Sequence, residues 1–312
     1  MIKRVACGMT LTLLLAPAAF AQPRVEKNVV FGMYSGAALL MDVHRPVQSN
    51  GLGLIIIPGS GWYMPQRYDA PALKDNKYVA ALASRFSEAG YTAFVINHRA
   101  SPRFRYPAAI EDAQRAVRFI RHNASAYGID GRRLGAWGAS SGGHLAALLG
   151  TLDGAGDPND SDPVNRESAK VQAVVAIFPA TDLASLRSMG TPHVGMFMGF
   201  FYPDPKSAPP GLIRQDEPEI KAYRDASPTT HVTRDDAPFL LIHGDADVIV
   251  PLQQSDLLEQ KLRSAGVEVQ LIKVAGGQHG PFFLFFGKDE ARRPDEFGEA
   301  RKWFDRHLKA AQ

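Results

Sequence analysis

The fold is decided by residues 134–149, which read LGAWGASSGGHLAALL. An apolar run up to Trp137 predicts a strand, and the apolar run that follows Ser141 predicts a helix. Between them, Gly138-Ala139-Ser140-Ser141-Gly142 matches G-x-S-x-G. The two glycines allow a tight strand-to-helix turn that presents a serine hydroxyl above the sheet, at the positive end of the helix. The pattern predicts Ser140 as a nucleophile, because the competing Ser141 has no glycine two residues before it.

Other apolar and β-branched runs predict seven more strands around this turn. They lie at Asn28–Tyr34, Ala38–His44, Leu52–Pro58, Tyr91–Asn97, Val171–Phe178, Phe239–His243 and Val267–Val274. Nearly continuous apolar runs such as 174–178 indicate strands that are buried on both faces, as in a parallel sheet. Helical patterns alternate with the strands, the clearest beginning at Pro107 and repeating apolar residues at three- and four-residue steps until Gly128. We therefore expect an α/β protein with a mostly parallel, doubly wound, eight-stranded sheet.

This alternation breaks between about residues 183 and 234. A stretch rich in methionine and phenylalanine at 196–202 is followed by four prolines between 203 and 210. We interpret the segment as a cap-like insertion in the catalytic domain, because long irregular connections are uncommon unless they are functional or disordered. A lid over the site and a peripheral insertion with a small core of its own both fit the sequence.

The first residues predict a signal peptide over 1–21. Lys3 and Arg4 precede an apolar run that ends in Ala19-Phe20-Ala21, a small-x-small cleavage pattern. We therefore expect an exported protein, periplasmic or secreted, whose catalytic domain occupies residues 22–312. The single cysteine, Cys7, lies in this leader, so disulfides and thiolate metal sites are not expected in the mature chain.

The charge of the mature chain is close to neutral. Removing Lys3 and Arg4 from the 35 basic residues leaves 33 against 32 acidic ones, a net charge of about +1. Such a balance supplies no electrostatic attraction for nucleic acid or for a membrane surface, and we expect neither as a partner. The sequence leaves the oligomeric state open.

A nucleophilic serine requires a base and an acid that orients it. After a nucleophile turn of this kind, the acid and then the histidine follow along the chain. Of nine histidines, His279 is the one that follows the last acidic strand end within a glycine-rich loop, and it is the predicted base. Asp245 and Asp247 both lie just past a buried strand, and their spacing does not separate them.

Acyl transfer also requires N–H donors for the oxyanion of the tetrahedral intermediate. One donor is expected at the residue after the nucleophile, here Ser141. The others are expected from Gly59, Ser60 and Gly61, because a glycine-rich loop at these positions ends the strand that contains Ile55 to Ile57.

Several segments together resemble the acetylxylan and feruloyl esterase-like branch of the α/β-hydrolases, close to hormone-sensitive-lipase and kynurenine-formamidase relatives. They are Pro58-Gly59-Ser60-Gly61-Trp62, Asn97-His98-Arg99, Tyr106-Pro107-Ala108-Ala109 with Asp112 and residues 115–118, Gly138–His144, and His243-Gly244-Asp245-Ala246-Asp247 with Val250-Pro251. Two segments depart from the pattern of the branch, which usually has His-Gly-Gly-Gly-Trp in the loop and Asn-Tyr-Arg after the next strand.

The resemblance implies the α/β-hydrolase fold and a serine carboxylic ester hydrolase without cofactor or metal. It places the acid at Asp247, four residues before Pro251. The implied substrates are acetyl, feruloyl or other short-chain esters, as small molecules or on plant polysaccharide. Trp62 and Phe282 are predicted substrate contacts, with core packing as the alternative for the phenylalanine. An amide hydrolase, such as a formamidase or peptidase, and more remotely a non-catalytic binding protein are the alternative functions.

Overall fold

The central element of the fold is an eight-stranded sheet. The computed structural model describes residues 23–188, 192–199, 218–280 and 295–309. The strand order is β1-β2-β4-β3-β5-β6-β7-β8. The strands are β1 (Arg24–Tyr34), β2 (Ala37–Arg45), β3 (Gly53–Ile57), β4 (Thr92–Ile96), β5 (Leu134–Ala139), β6 (Ala173–Ile177), β7 (Phe239–Gly244) and β8 (Val269–Val274). Neighbours from β3 to β8 pair in parallel, whereas β1 with β2 and β2 with β4 pair antiparallel. The predicted α/β class and mostly parallel sheet are confirmed.

The helices lie on both faces of this sheet. They are α1 (Lys77–Glu88), α2 (Ala108–His122), α3 (Ala124–Tyr127), α4 (Ser141–Thr151), α5 (Leu183–Ser188), α6 (Pro192–Met198), α7 (Pro218–Asp225), α8 (Pro228–His231), α9 (Gln253–Ala265) and α10 (Glu296–Leu308). Pro107 precedes α2 as expected, but the predicted helix to Gly128 is divided. The backbone of Asn123 leaves the helical region at φ −101° and ψ 17°, and Gly128 ends α3 in the left-handed region at φ 66°.

Burial explains why the central strands lack an alternating pattern. Every residue of β3 to β7 is buried, because helices cover both faces. One core layer joins the sheet to α2, α4 and α9, and the other joins it to α1 and α10. Adjacent residues of β5 point to opposite layers, Ala136 to the first and Trp137 to the second.

The described parts of the insertion between β6 and β7 belong to the main core. Leu183, Val194, Phe197 and Tyr223 are buried in the same layer as α2 and α4. A peripheral insertion with a separate core is therefore not what these parts form. Residues 189–191 and 200–217, with the four prolines, lie outside the described residues.

The carboxyl ends of β3, β5, β7 and β8 lie at one edge of the sheet, because these strands run parallel. The loops that contain the predicted site residues follow these ends. The predicted signal peptide lies outside the described residues. Within the part of the chain that the structure describes, no helix has the length and apolar character needed to cross a membrane.

Candidate active site

Ser140 lies on a strained turn between β5 and α4. Its backbone has φ 55° and ψ −124°, a conformation that is costly for a residue with a side chain. Two glycines make the turn possible. A Cβ atom on Gly138 would lie 2.1 Å from the carbonyl oxygen of Gly142, and one on Gly142 would lie 2.1 Å from that of Ile57. The turn therefore requires the glycines of the G-x-S-x-G pattern.

The structure brings His279 to this serine from the loop after β8. Its Nε2 lies 2.9 Å from Ser140 Oγ, and its Nδ1 lies 2.7 Å from Asp247 Oδ2. A carboxylate only accepts hydrogen bonds, so Nδ1 holds the proton and Nε2 presents its lone pair to the serine hydroxyl. This tautomer is the one that can remove the proton of Ser140.

Asp247 is buried and fully hydrogen-bonded. Its Oδ1 accepts hydrogen bonds of 2.9 Å from the backbone N–H groups of Ile249 and Val250. Its Oδ2 lies 3.3 Å from Nε2 of His243, in addition to the contact with His279. Burial raises the pKa of the Asp247 carboxyl, but hydrogen bonds from His243, His279 and Val250 outweigh it and place the pKa well below the ordinary value. The carboxylate is therefore ionised at neutral pH.

Asp245 has a different place in the same loop. Its side chain is exposed, and Oδ1 accepts a 2.6 Å hydrogen bond from the backbone N–H of Gly276. This bond joins the loop after β7 to the loop that contains His279. Geometry thus separates the two acids: Asp247 contacts the histidine, and Asp245 supports its loop.

Sequence reasoning missed two residues that contact the triad. His243, interpreted from sequence as structural, donates from Nε2 to the Val250 carbonyl at 2.8 Å and approaches Asp247, while Nδ1 accepts from Ser255 Oγ at 2.7 Å. The ring centroids of Phe178 and His279 are 4.5 Å apart, and the backbone of Phe178 has φ 36°. A histidine four residues before the acid was a signal for the first. The continuous apolar run that ends at Phe178 gave no signal that this residue would contact His279.

Two of the residues predicted as oxyanion donors, Ser60 and Ser141, are hydrogen-bonded to each other. The backbone N–H of Ser60 donates a 2.8 Å hydrogen bond to the hydroxyl of Ser141. That N–H therefore faces a hydroxyl oxygen, rather than standing free as we expected. The N–H of Ser141 begins α4, where a helix supplies no internal acceptor. Gly59 and Gly61 flank Ser60 in the loop after β3.

Of the two predicted substrate contacts, the structure describes only Trp62, and it is buried. Trp62 is only 4% exposed, its indole N–H donates to His144, and its ring stacks on Phe197. It offers a substrate little surface, so the expectation is corrected to a packing residue behind the loop. Phe282 lies outside the described residues.

The arrangement is suited to nucleophilic acyl transfer. A hydroxyl on a strained turn, a histidine with its lone pair toward that hydroxyl and an ionised orienting acid are the groups that this chemistry requires. In the described ranges, no group of three or more histidine, aspartate, glutamate or cysteine side chains is placed to hold a metal ion.

Known proteins resemble this chain in sequence and in fold. The sequence matches the BD-FAE family over residues 41–262. It is 31% identical over 261 residues to esterase LipC of Mycobacterium tuberculosis. The aligned residues cover 82% of this chain and 59% of LipC. The chain thus spans little more than half the length of this relative.

Two solved structures share the fold along almost the whole chain. An acetyl ester-xyloside bifunctional hydrolase from Caldicellulosiruptor lactoaceticus has a TM-score of 0.72 and 25% identity, covering 92% of this chain and 98% of that one. A truncated carbohydrate esterase from gut microbiota has a TM-score of 0.72 and 27% identity, and the match covers 94% of this chain and 99% of that one. The chain belongs to the BD-FAE family and has the α/β-hydrolase fold, as the resemblance of its motifs implied.

Proposed function

We propose that this protein is an exported serine hydrolase that cleaves short-chain carboxylic esters, acetyl esters on carbohydrate above all. One observation carries the proposal. A continuous hydrogen-bonded chain runs from Ser140 Oγ through both ring nitrogens of His279 to the buried carboxylate of Asp247. Ser255 and His243 also form a hydrogen-bonded pair beside Asp247, but both side chains are fully buried, so Ser255 is not presented to a substrate.

The proposed reaction has two steps. In the first, Ser140 Oγ attacks the ester carbonyl carbon while its proton passes to Nε2 of His279, and the same proton then goes to the leaving alcohol. In the second, water attacks the acyl-enzyme, gives a proton to Nε2, and the acid leaves as Ser140 regains its proton. The ionised Asp247 stabilises the imidazolium that forms in each step. The N–H groups of Ser141, Gly59 and Gly61 are the proposed oxyanion donors, because the N–H of Ser60 already donates to the Ser141 hydroxyl.

The substrate class rests on the relatives. The two solved structures are described as an acetyl ester-xyloside hydrolase and a carbohydrate esterase. A relative from Pseudomonas putida, 28% identical, is named ethyl acetate hydrolase. Two of these names state an acetyl ester, and two state a xyloside or carbohydrate substrate. Export is proposed from the leader sequence. It agrees with this substrate class, because polysaccharide esters lie outside the cell.

The test compares wild-type protein with Ser140→Ala on p-nitrophenyl acetate, butyrate and decanoate, with acetate release from acetylated xylan measured in parallel. We expect turnover of the acetyl ester and a loss of about 10⁴-fold or more in kcat for the variant. Ser141→Ala is the matched control. It keeps Ser140 and its own backbone N–H and removes only the acceptor of the Ser60 N–H, so its loss should be no more than about 100-fold.

Two outcomes would change the proposal. Activity that survives Ser140→Ala would show that Ser140 is not the nucleophile. Turnover of a matched formanilide or peptide anilide, with none of any ester, would favour the amide hydrolase instead.

A further inference from the structure

Trp62 holds a backbone conformation that requires support. Its φ is 54°, directly after Gly61 at φ 64°. The left-handed region is unfavourable for a bulky side chain, so contacts elsewhere must compensate. Ser101 supplies two of them, donating its backbone N–H and its hydroxyl to the Trp62 carbonyl at 2.7 and 2.8 Å. The remaining contacts are made by the indole ring.

His144 receives the indole. The Nε1–H of Trp62 donates to Nδ1 of His144 at 3.0 Å, and the two rings meet edge to face with centroids 5.2 Å apart. Nε2 of His144 lies 2.7 Å from the carbonyl oxygen of Ala226. Because that carbonyl only accepts and the indole only donates, the imidazole must be neutral with its proton on Nε2. Burial lowers the pKa of His144 to about 4, with the Ala226 hydrogen bond opposing, and so preserves this state at neutral pH.

The same helical turn makes a second bond to the loop. Ser141 and His144 are three residues apart at the start of α4, and therefore lie on one face of the helix. Ser141 Oγ accepts from the N–H of Ser60, and His144 Nδ1 accepts from Trp62. Helix α4 also begins directly after Ser140. The element that places the nucleophile therefore also holds the loop that supplies the predicted donors.

The third participant is the insertion. Ala226 directly follows α7, and Phe197 of α6 stacks on the Trp62 indole with centroids 4.7 Å apart and planes at 18°. Phe197 also meets the His144 ring edge to face at 5.7 Å. The insertion thus contacts Trp62 directly through the Phe197 ring and indirectly through the Ala226 carbonyl, which binds His144. The rings of Phe197 and His144 are both buried.

From these contacts, and resting on the proposed function, we propose that His144 is a positioning residue that sets the oxyanion loop through Trp62 and joins it to the insertion. Its buried imidazole does not touch substrate. It fixes where the N–H group of Gly61, the residue directly before Trp62, lies relative to Ser140. A displacement of about 1 Å in such a group costs on the order of 100-fold in rate.

The test uses variants that keep or remove one bond at a time. Trp62→Phe keeps an aromatic ring for Phe197 and removes the N–H. His144→Gln places an amide N–H toward Ala226 and removes the acceptor for the indole, whereas His144→Asn keeps an acceptor near the position of Nδ1. We expect Trp62→Phe and His144→Gln to lower kcat on p-nitrophenyl acetate about 10- to 100-fold, with KM changed less than about threefold. His144→Asn should recover most of kcat.

Trp303→Phe is the matched control. Trp303 is also 4% exposed, but it lies on α10 in the opposite core layer, and its indole nitrogen has no hydrogen-bond partner among the described residues. It should change the urea midpoint without changing kcat. The double variant Trp62→Phe/His144→Gln should lose no more kcat than either single one, because both remove the same bond.

Several results would overturn the inference. They are unchanged kcat in Trp62→Phe and His144→Gln, a kcat of His144→Asn no better than that of His144→Gln, or an equal kcat loss in Trp303→Phe. If wild-type protein turned over no ester, the proposed function would fail separately. Urea unfolding of the single and double variants would then decide the inference, and additive changes in unfolding free energy would reject it.

Discussion

Replacement of Asp247 by asparagine tests how the acid directs the base. Oδ1 of Asp247 accepts from the N–H groups of Ile249 and Val250, and Oδ2 faces His279 and His243. In Asp247→Asn the amide oxygen would keep the two backbone bonds. The NH₂ group would then take the place of Oδ2 and face two ring N–H groups.

The expected result follows from the tautomer. Facing an amide donor, His279 would present the lone pair of Nδ1 and place its proton on Nε2, toward Ser140 Oγ. A protonated Nε2 cannot accept the serine proton, so we expect kcat to fall about 10⁴-fold. At 1.36 kcal/mol per tenfold, this loss corresponds to about 5 kcal/mol in activation free energy. KM should change little, since Asp247 is 7% exposed and does not reach a substrate.

The assay is steady-state hydrolysis of p-nitrophenyl acetate beside the matched variant Asp245→Asn. The asparagine oxygen can still accept from the N–H of Gly276, so this variant should lose less than about tenfold. The reasoning would be refuted if Asp247→Asn kept more than about 1% of wild-type kcat, or if Asp245→Asn lost as much.

Three further predictions concern the support of the site. Gly138→Ala should destabilise the protein by more than about 3 kcal/mol in urea unfolding, because its Cβ would lie 2.1 Å from the Gly142 carbonyl. Asp112→Ala should cost about 1–3 kcal/mol by the same measurement, since it removes the buried carboxylate 2.8 Å from the Arg99 guanidinium and leaves only Glu111 to pair with it. The pKa of His144 is about 4 in the folded protein against 6.5 ordinarily, so the unfolded chain takes up a proton first as pH falls. Between pH 7 and 4, wild type should therefore lose about 2–3 kcal/mol more stability than His144→Asn.

The sequence predicted what depends on local pattern. Eight strands and the main helices follow from hydrophobic periodicity, and the turn at Ser140 follows from two glycines that admit its close backbone contacts. His279 could be selected because chain order and a glycine-rich loop distinguish it from the other histidines. The helix break at Asn123 was missed, because the apolar period continues through it.

Spacing alone left Asp245 and Asp247 equivalent, and the family resemblance favoured Asp247. They are two residues apart in one loop, so only the path of that loop decides which carboxylate meets the histidine. In the structure, the turn that bonds Asp247 to Ile249 and Val250 directs its other oxygen toward His279. Asp245 instead points to the backbone of Gly276.

By itself, the sequence determined the fold class, the glycine-bounded turn at Ser140 and the choice of His279 as the predicted base, since each depends on neighbouring residues. Only the tertiary structure decided that the Ser60 N–H meets the Ser141 hydroxyl, that Trp62 is buried against His144, and that the described parts of the insertion share the main core. The first two contacts join residues 81 and 82 positions apart. Periodicity and spacing describe one segment at a time, whereas such bonds depend on how separate segments pack on the sheet.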